Sequence, residues 1–167
     1  MGFFYGDNMK EIQLSQGKVA LVDDEDFEYL NQWKWYAHYQ FGSKSYSACR
    51  AGKKMSKIWM HREIMNPVAG LVVDHINHDT LDNRKQNLRN VTMRQNMMNR
   101  KSNNNTFGYK GVSLKRGSKK YSAEIQDKNK KIYLGSYDTP EDAAKAYDLA
   151  AKNIFGEFAY LNFVEGK

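Results

Sequence analysis

The chain has 167 residues and a formal charge of +7 at pH 7, with 26 lysines and arginines against 19 aspartates and glutamates. The lone cysteine, Cys49, excludes a disulfide framework and a cysteine-rich zinc site, and no apolar run approaches the roughly 20 residues that cross a bilayer. Such a chain is expected to form one domain or two small ones and to favour an acidic partner, nucleic acid first.

In chain order, the opening residues through Asn8 read as a loose tail without the pattern of a secretory leader, so a cytoplasmic protein with no membrane partner is expected. Lys18–Val22 and Trp33–Tyr39 read as strands, and the acidic DDEDFEYLNQ between them as a short helix starting near Asp23 or Asp24. Trp33, Trp35 and Tyr36 are expected in a core. Strands follow near Ser45–Arg50 and Ser56–Met60, then a helical turn, HREIM, closed by Asn66-Pro67. Leu71–Asp74 and Asn87–Val91 are two more strands, and Thr92 can cap a helix running to about Arg100. Ser102–Thr106 has no apolar residue and reads as a linker.

Beyond the linker, YKGVSL, KYSAEIQ and KIYLGSY are three short strands separated by polar turns. Thr139-Pro140-Glu141-Asp142 has the cap, the proline and the acidic first turn of a helix start, and Gly156 is the expected stop. Ala143, Tyr147, Ala150, Ala151 and Ile154 form one apolar helix face. Three antiparallel strands packed on this helix follow. Alternation puts Tyr121, Ala123, Ile125, Ile132 and Leu134 toward the helix, and Lys120, Ser122, Glu124, Gln126, Lys131 and Tyr133 outward. A polar, lysine-bearing face suits phosphate contacts, with Glu124 and Gln126 able to read base edges. The charge is polarised along this stretch: eight of its basic residues lie between Lys110 and Lys131, and six of its acids from Asp138 to Glu165.

YKGVS (109–113), KKYSAEI (119–125), KIYLGSYDTPEDAAKAYDLAA (131–151) and FGEFAYLNF (155–163) together resemble the AP2 DNA-binding domain. The resemblance implies that the sheet enters the major groove of duplex DNA, with Lys110, Ser113, Lys115, Glu124, Gln126, Lys131 and Tyr133 facing it and Tyr147 touching a phosphate. Lysine, serine and tyrosine stand where the family often has arginine and tryptophan, which removes bidentate guanine contacts.

The middle segment, LVVDHINHDTLDNRKQNLRNVTMRQNMMNRK, has the residues for hydrolytic chemistry. Asp74 and His75 end a strand, Asn87 begins the next, and Asn96 lies one turn into the following helix. A carboxylate and an amide oxygen suit Mg²⁺ or Mn²⁺, and histidine is the natural base. Neighbours on a regular strand face opposite ways, so Asp74 and His75 share a site only where the strand ends or bulges. Asn99 sits three residues from Asn96 on nearly the same helix face and competes for the ligand role. Arg84, Lys85, Arg89, Arg94, Arg100 and Lys101 form a basic run suited to a DNA track.

MHREIMNP (60–67), VVDHIN (72–77), LDNRKQNLRNVT (81–92) and the trailing Asn96, Asn99 and Arg100 resemble the HNH nucleases. The resemblance implies a ββα-metal core with Asp74 and Asn96 on the ion, His75 as general base, Asn87 holding the loop and orienting His75, and His61 in packing or hydrogen bonding. His78 stands where a glycine is common; a spectator, a phosphate contact or a further site candidate all remain open.

The expected protein is α+β: a β-rich part with an HNH core over residues 1–101 (motif about 60–101), a linker at 102–106, and an AP2 domain at 107–164. Its expected function is metal-dependent nicking of double-stranded DNA by a monomer, of the homing, mobile-element or phage type, with no small-molecule cofactor. The alternatives are a DNA-binding regulator with an inactive nuclease site and a nuclease directed to branched DNA.

Overall fold

The computed structural model describes residues 9–101 and 107–163. The expected tail and the 102–106 linker lie outside these. The chain forms two compact units, one through Met93 and one from Arg94 onward.

The first unit opens with a hairpin of β1 (Met9–Gln13) and β2 (Val19–Asp23), in which Ile12 faces Ala20. The turn uses two left-handed residues, Gln16 (φ 62°) and Gly17 (φ 65°), the pairing that matches hairpin twist. β1 carries no signal in the residue pattern, because only Ile12 of its five side chains is buried. Helix α1 (Asp24–Leu30) follows with three acids in its first turn, complementing its dipole. The expected strand at Trp33–Tyr39 starts later, as β3 (Tyr36–Gln40), for a visible reason. Trp35 turns inward and its indole N–H donates to the Leu30 carbonyl at the end of α1 (2.8 Å). Trp33, expected in the core, is 44% exposed, with the Arg50 guanidinium 4.3 Å from its ring.

β3, β4 (Ser45–Ala51) and β5 (Lys57–Trp59) form an antiparallel sheet in that order. Helix α2 (Met60–Met65) ends on left-handed Asn66, whose N–H bonds to Arg62 O. Ile12, Ala20, Val22, Leu30, Trp35, Ala37, Ala48 and Met60 build the core. β6 (Leu71–His75) and β7 (Leu88–Thr92) then pair antiparallel, with Asp74 opposite Arg89 and His75 opposite Leu88.

The second unit begins within α3 (Met93–Asn99) and contains β8 (Val112–Leu114), β9 (Tyr121–Asp127) and β10 (Lys130–Tyr137), an antiparallel sheet with β9 in the middle. Helix α4 (Pro140–Phe155) packs on it. Thr139 Oγ1 accepts from Asp142 N–H (3.1 Å), the expected cap. The buried stripe is Ala143, Ala144, Tyr147, Asp148, Ala151 and Phe155. Ile154, expected on that stripe, is 39% exposed, because the sheet lies under the row spaced by four from Ala143 to Phe155. Gly111 (φ 78°) sits against this core: a Cβ there would lie 1.9 Å from the Tyr147 ring.

Candidate nuclease site and DNA-facing sheet

The chemistry-bearing residues of the first unit surround the loop that joins β6 to β7. Asp74 and His75 both keep regular register with β7, so the strand neither bulges nor ends before His75. They accordingly meet different neighbours. The Asp74 carboxylate, 6% exposed, accepts from Arg89 Nε (2.9 Å) and Nη2 (2.9 Å) across the ladder. His75, 7% exposed, meets Asn83 on one side and the His61 ring edge-on at 5.1 Å.

Asn83 was not singled out by the residue pattern, yet it is fully buried. Its amide nitrogen donates to Leu81 O (3.2 Å), which turns its oxygen toward His75 Nε2 at 3.3 Å. An amide oxygen only accepts, so Nε2 carries the proton and the basic lone pair is on Nδ1. Burial lowers the His75 pKa, opposed by the Asn83 hydrogen bond and the nearby Asp74, Asp79 and Asp82 carboxylates. The imidazole is therefore neutral near pH 7, the form a base needs. The only hint of Asn83 in the chain was its place between Asp82 and Arg84 in a polar loop.

Asn87 is hydrogen-bonded at both ends of its amide to that loop. Its Oδ1 accepts from Asn77 N–H (2.9 Å) and its Nδ2 donates to Asp82 O (2.8 Å). Asp82 forms a two-pronged pair with Arg84, Nε to Oδ1 and Nη2 to Oδ2, both 2.8 Å, which holds its carboxyl below the usual range. The loop is tied to β2 by Leu21 N–H to Leu81 O (2.9 Å) and Asn83 N–H to Leu21 O (2.8 Å). Asp23, poised to cap α1, instead accepts from Lys85 N–H (2.7 Å). His78 is left-handed (φ 67°), which explains why glycine suits this position.

His61, on α2, lies between Trp59 and His75, and among the described residues its buried Nδ1 has no hydrogen-bond partner. Burial chiefly, then His75 and Arg62, push its pKa down to about 3. Asn96 and Asn99 both lie on α3, carried by the second unit. Asn99 is 4% exposed, whereas Asn96 is half-buried, and among the described residues its side chain has no hydrogen-bond partner. No group of three histidine, cysteine, aspartate or glutamate side chains is placed to hold a metal among the described residues.

On the sheet of the second unit, Tyr133 pairs with Glu124, Lys131 with Gln126 and Ser113 with Ser122. Ser113, Gln126, Lys131 and Tyr133 are exposed on the face away from α4, Glu124 half-buried beside them, and Lys115 is exposed beyond β8. Lys131 bonds Glu124 at 2.5 Å, and Tyr133 Oη lies 2.8 Å from Ser136 Oγ. Two residues of the expected set lie elsewhere. Lys110 is half-buried, its Nζ donating to Met98 O (2.6 Å) and Arg100 O (2.8 Å). Tyr147, expected at a phosphate, is 3% exposed and packs with Ile125, Ala151 and Phe155, on the α4 stripe that meets the sheet. Three of the four arginines of the basic run are each paired with a carboxylate: Arg84 with Asp82, Arg89 with Asp74, Arg94 with Asp127.

Residues 66–98 match the family model of the HNH endonucleases, and residues 107–157 match that of the AP2 domain. The chain joins an HNH endonuclease segment to an AP2 domain. An uncharacterised HNH endonuclease of Acanthamoeba polyphaga mimivirus is 28% identical over 156 residues, covering 90% of this chain and 78% of that protein. An ethylene-responsive transcription factor of Arabidopsis thaliana is 48% identical over 59 residues, 34% of this chain and 32% of that one. An AP2-like ethylene-responsive transcription factor of the same plant is 42% identical over 65 residues, 33% of this chain and 22% of its own length. The HNH match spans β6, the Asn83 loop, β7 and most of α3, and the AP2 match spans the three-stranded sheet and α4.

Proposed function

We propose that the protein is a metal-dependent DNA endonuclease in which an HNH centre of the ββα-metal type nicks duplex DNA under the direction of the AP2 domain. The observation that carries this reading is His75, a buried imidazole with its proton fixed on Nε2 by Asn83, at the end of the strand that bears Asp74.

The donor chemistry fits a hard divalent ion. Asp74 offers a carboxylate and Asn96 an amide oxygen, with water and phosphate to complete the shell. Such an ion, Mg²⁺ or Mn²⁺, would supply positive charge at the scissile phosphate and the departing 3′ oxygen. His75 takes a proton from the attacking water at Nδ1, while Asn83 holds the ring and Asn87 holds the loop beneath it. Arg89 balances the Asp74 carboxylate. The products carry 5′-phosphate and 3′-hydroxyl ends, and one centre per chain makes a nick by a monomer the expected event. A homing or mobile-element role, in the cytoplasm of a bacterial or phage-infected cell, belongs to the same proposal.

Supercoiled plasmid incubated with Mg²⁺ or Mn²⁺, with and without chelator, tests it. Nicking should require the ion and fall roughly 10²–10⁴-fold in His75→Ala, the usual contribution of a general base. Undiminished nicking by that variant overturns the assignment. One observation favours a second reading, a DNA-binding regulator with an inactive centre: Asp74 is already neutralised by Arg89. That reading expects duplex binding and no nicking with either ion.

A further inference from the structure

A lysine just before the first strand of the AP2 sheet invites a phosphate contact, but Lys110 is committed elsewhere. The last carbonyls of a helix have no partner within it, and a cation placed there satisfies them and complements the dipole. α3 ends in this way. Met98 O accepts from Lys110 Nζ (2.6 Å) and from Tyr160 N–H (3.3 Å), and Arg100 O accepts from Lys110 Nζ (2.8 Å). The Met98 side chain packs against the cluster of Ile125, Tyr147, Ala151 and Phe155.

Lys110 is itself held from behind. Its N–H donates to Asn162 Oδ1 (2.6 Å) and its carbonyl accepts from Asn162 Nδ2 (3.1 Å). Asn162 in turn donates its N–H and Nδ2 to Asp148 Oδ1, both 2.9 Å. Asp148 is buried on α4. A continuous chain of hydrogen bonds therefore runs from α4 through Asp148, Asn162 and Lys110 to the end of α3. The Arg94–Asp127 ion pair adds a second tie, from the start of α3 to the end of β9. By folding unit, the helix that bears Asn96 belongs with the AP2 domain.

We propose that Lys110 is a positioning residue, which clamps α3 to the AP2 domain so that the part that engages DNA also sets the stance of the Asn96 amide. The metal role of Asn96 rests on the nuclease reading above; the clamp does not. Free of the clamp, α3 is too short to persist alone, since isolated helices of this length are marginal.

The test compares full-length wild type with Lys110→Met, which keeps the apolar stem, and Lys110→Arg, which restores a cation. Amide exchange over residues 94–100, read without metal or DNA, should speed up about tenfold or more in Lys110→Met and recover in Lys110→Arg. Duplex affinity should stay within about twofold. Mn²⁺ affinity, measured by titration calorimetry on the DNA complex, and the nicking rate should fall together in Lys110→Met. Should Lys110→Met fold poorly, Asp127→Asn loosens the second tie and should speed exchange over the same residues. Unchanged exchange over 94–100 overturns the proposal, and so does a loss of duplex affinity that matches the loss of nicking, which would make Lys110 a DNA contact. A wild type that binds DNA but never nicks overturns the nuclease reading, while the exchange experiment still decides the clamp.

Discussion

His75 can accept a proton at Nδ1 only while its own proton stays on Nε2, and Asn83 is the side chain that keeps it there. Asn83→Ala removes the acceptor without adding bulk. Nicking should drop by about 10–100-fold, as for other residues that orient a functional group, with duplex affinity unchanged in a gel-shift titration. His61 makes a different prediction. In the unfolded chain it takes a proton near its ordinary value of 6.5, in the folded protein only near 3. Between those values the unfolded state binds more protons, so stability falls as pH drops from 6.5 toward 3, by up to about 1.4 kcal/mol per pH unit. Thermal unfolding across that window should show a shallower loss in His61→Gln than in wild type. Asp74 and His75 were legible as a pair in the chain. Asn83 was not, because a buried asparagine and a surface turn asparagine look alike until the loop is folded onto β2.

Helices and strands are legible in the chain wherever their own residues specify them. Thr139-Pro140 starts α4 and Gly156 ends it because cap chemistry is local. The alternation in WKWYAHY predicts a strand from Trp33, but it cannot show that the Trp35 indole turns in to the end of α1, so β3 starts at Tyr36. β1 leaves almost no period in the residues, because a hairpin edge strand buries only one of its side chains. Packing of sheet on helix supplies the sharpest prediction at this scale. Gly111 has a left-handed backbone and no room for a Cβ against Tyr147. Gly111→Ala should destabilise the second unit by about 3 kcal/mol or more, from strain and overpacking together, seen as a lowered denaturation midpoint. The first unit should keep its midpoint.

Across the whole molecule the +7 charge is an electrostatic footprint whose strength depends on salt. Lys115, exposed and without an ion-pair partner among the described residues, is the plainest phosphate-binding candidate on the AP2 domain. Lys115→Ala should weaken duplex binding for all sequences alike and reduce the slope of log affinity against log salt by about 1. Binding titrations at several salt concentrations measure both. Unchanged slope would remove Lys115 from the interface.

The residues alone determined two things about this protein: the presence of a nuclease motif and an AP2 domain, and the outward face of the AP2 sheet. Both depend on short-range order, the spacing of Asp74, His75, Asn87 and Asn96 and the alternation of side chains along β9 and β10. Only the tertiary structure decided which charges are already spent. Arg84, Arg89 and Arg94 of the basic run and Lys110 of the AP2 segment look alike as free cations in the chain, yet three are held by carboxylates and the fourth by carbonyls at a helix end. The reason is physical: a side chain's charge is written in its own residue, but its partner can arrive from far along the chain, as Asp127 does for Arg94 from 33 positions away.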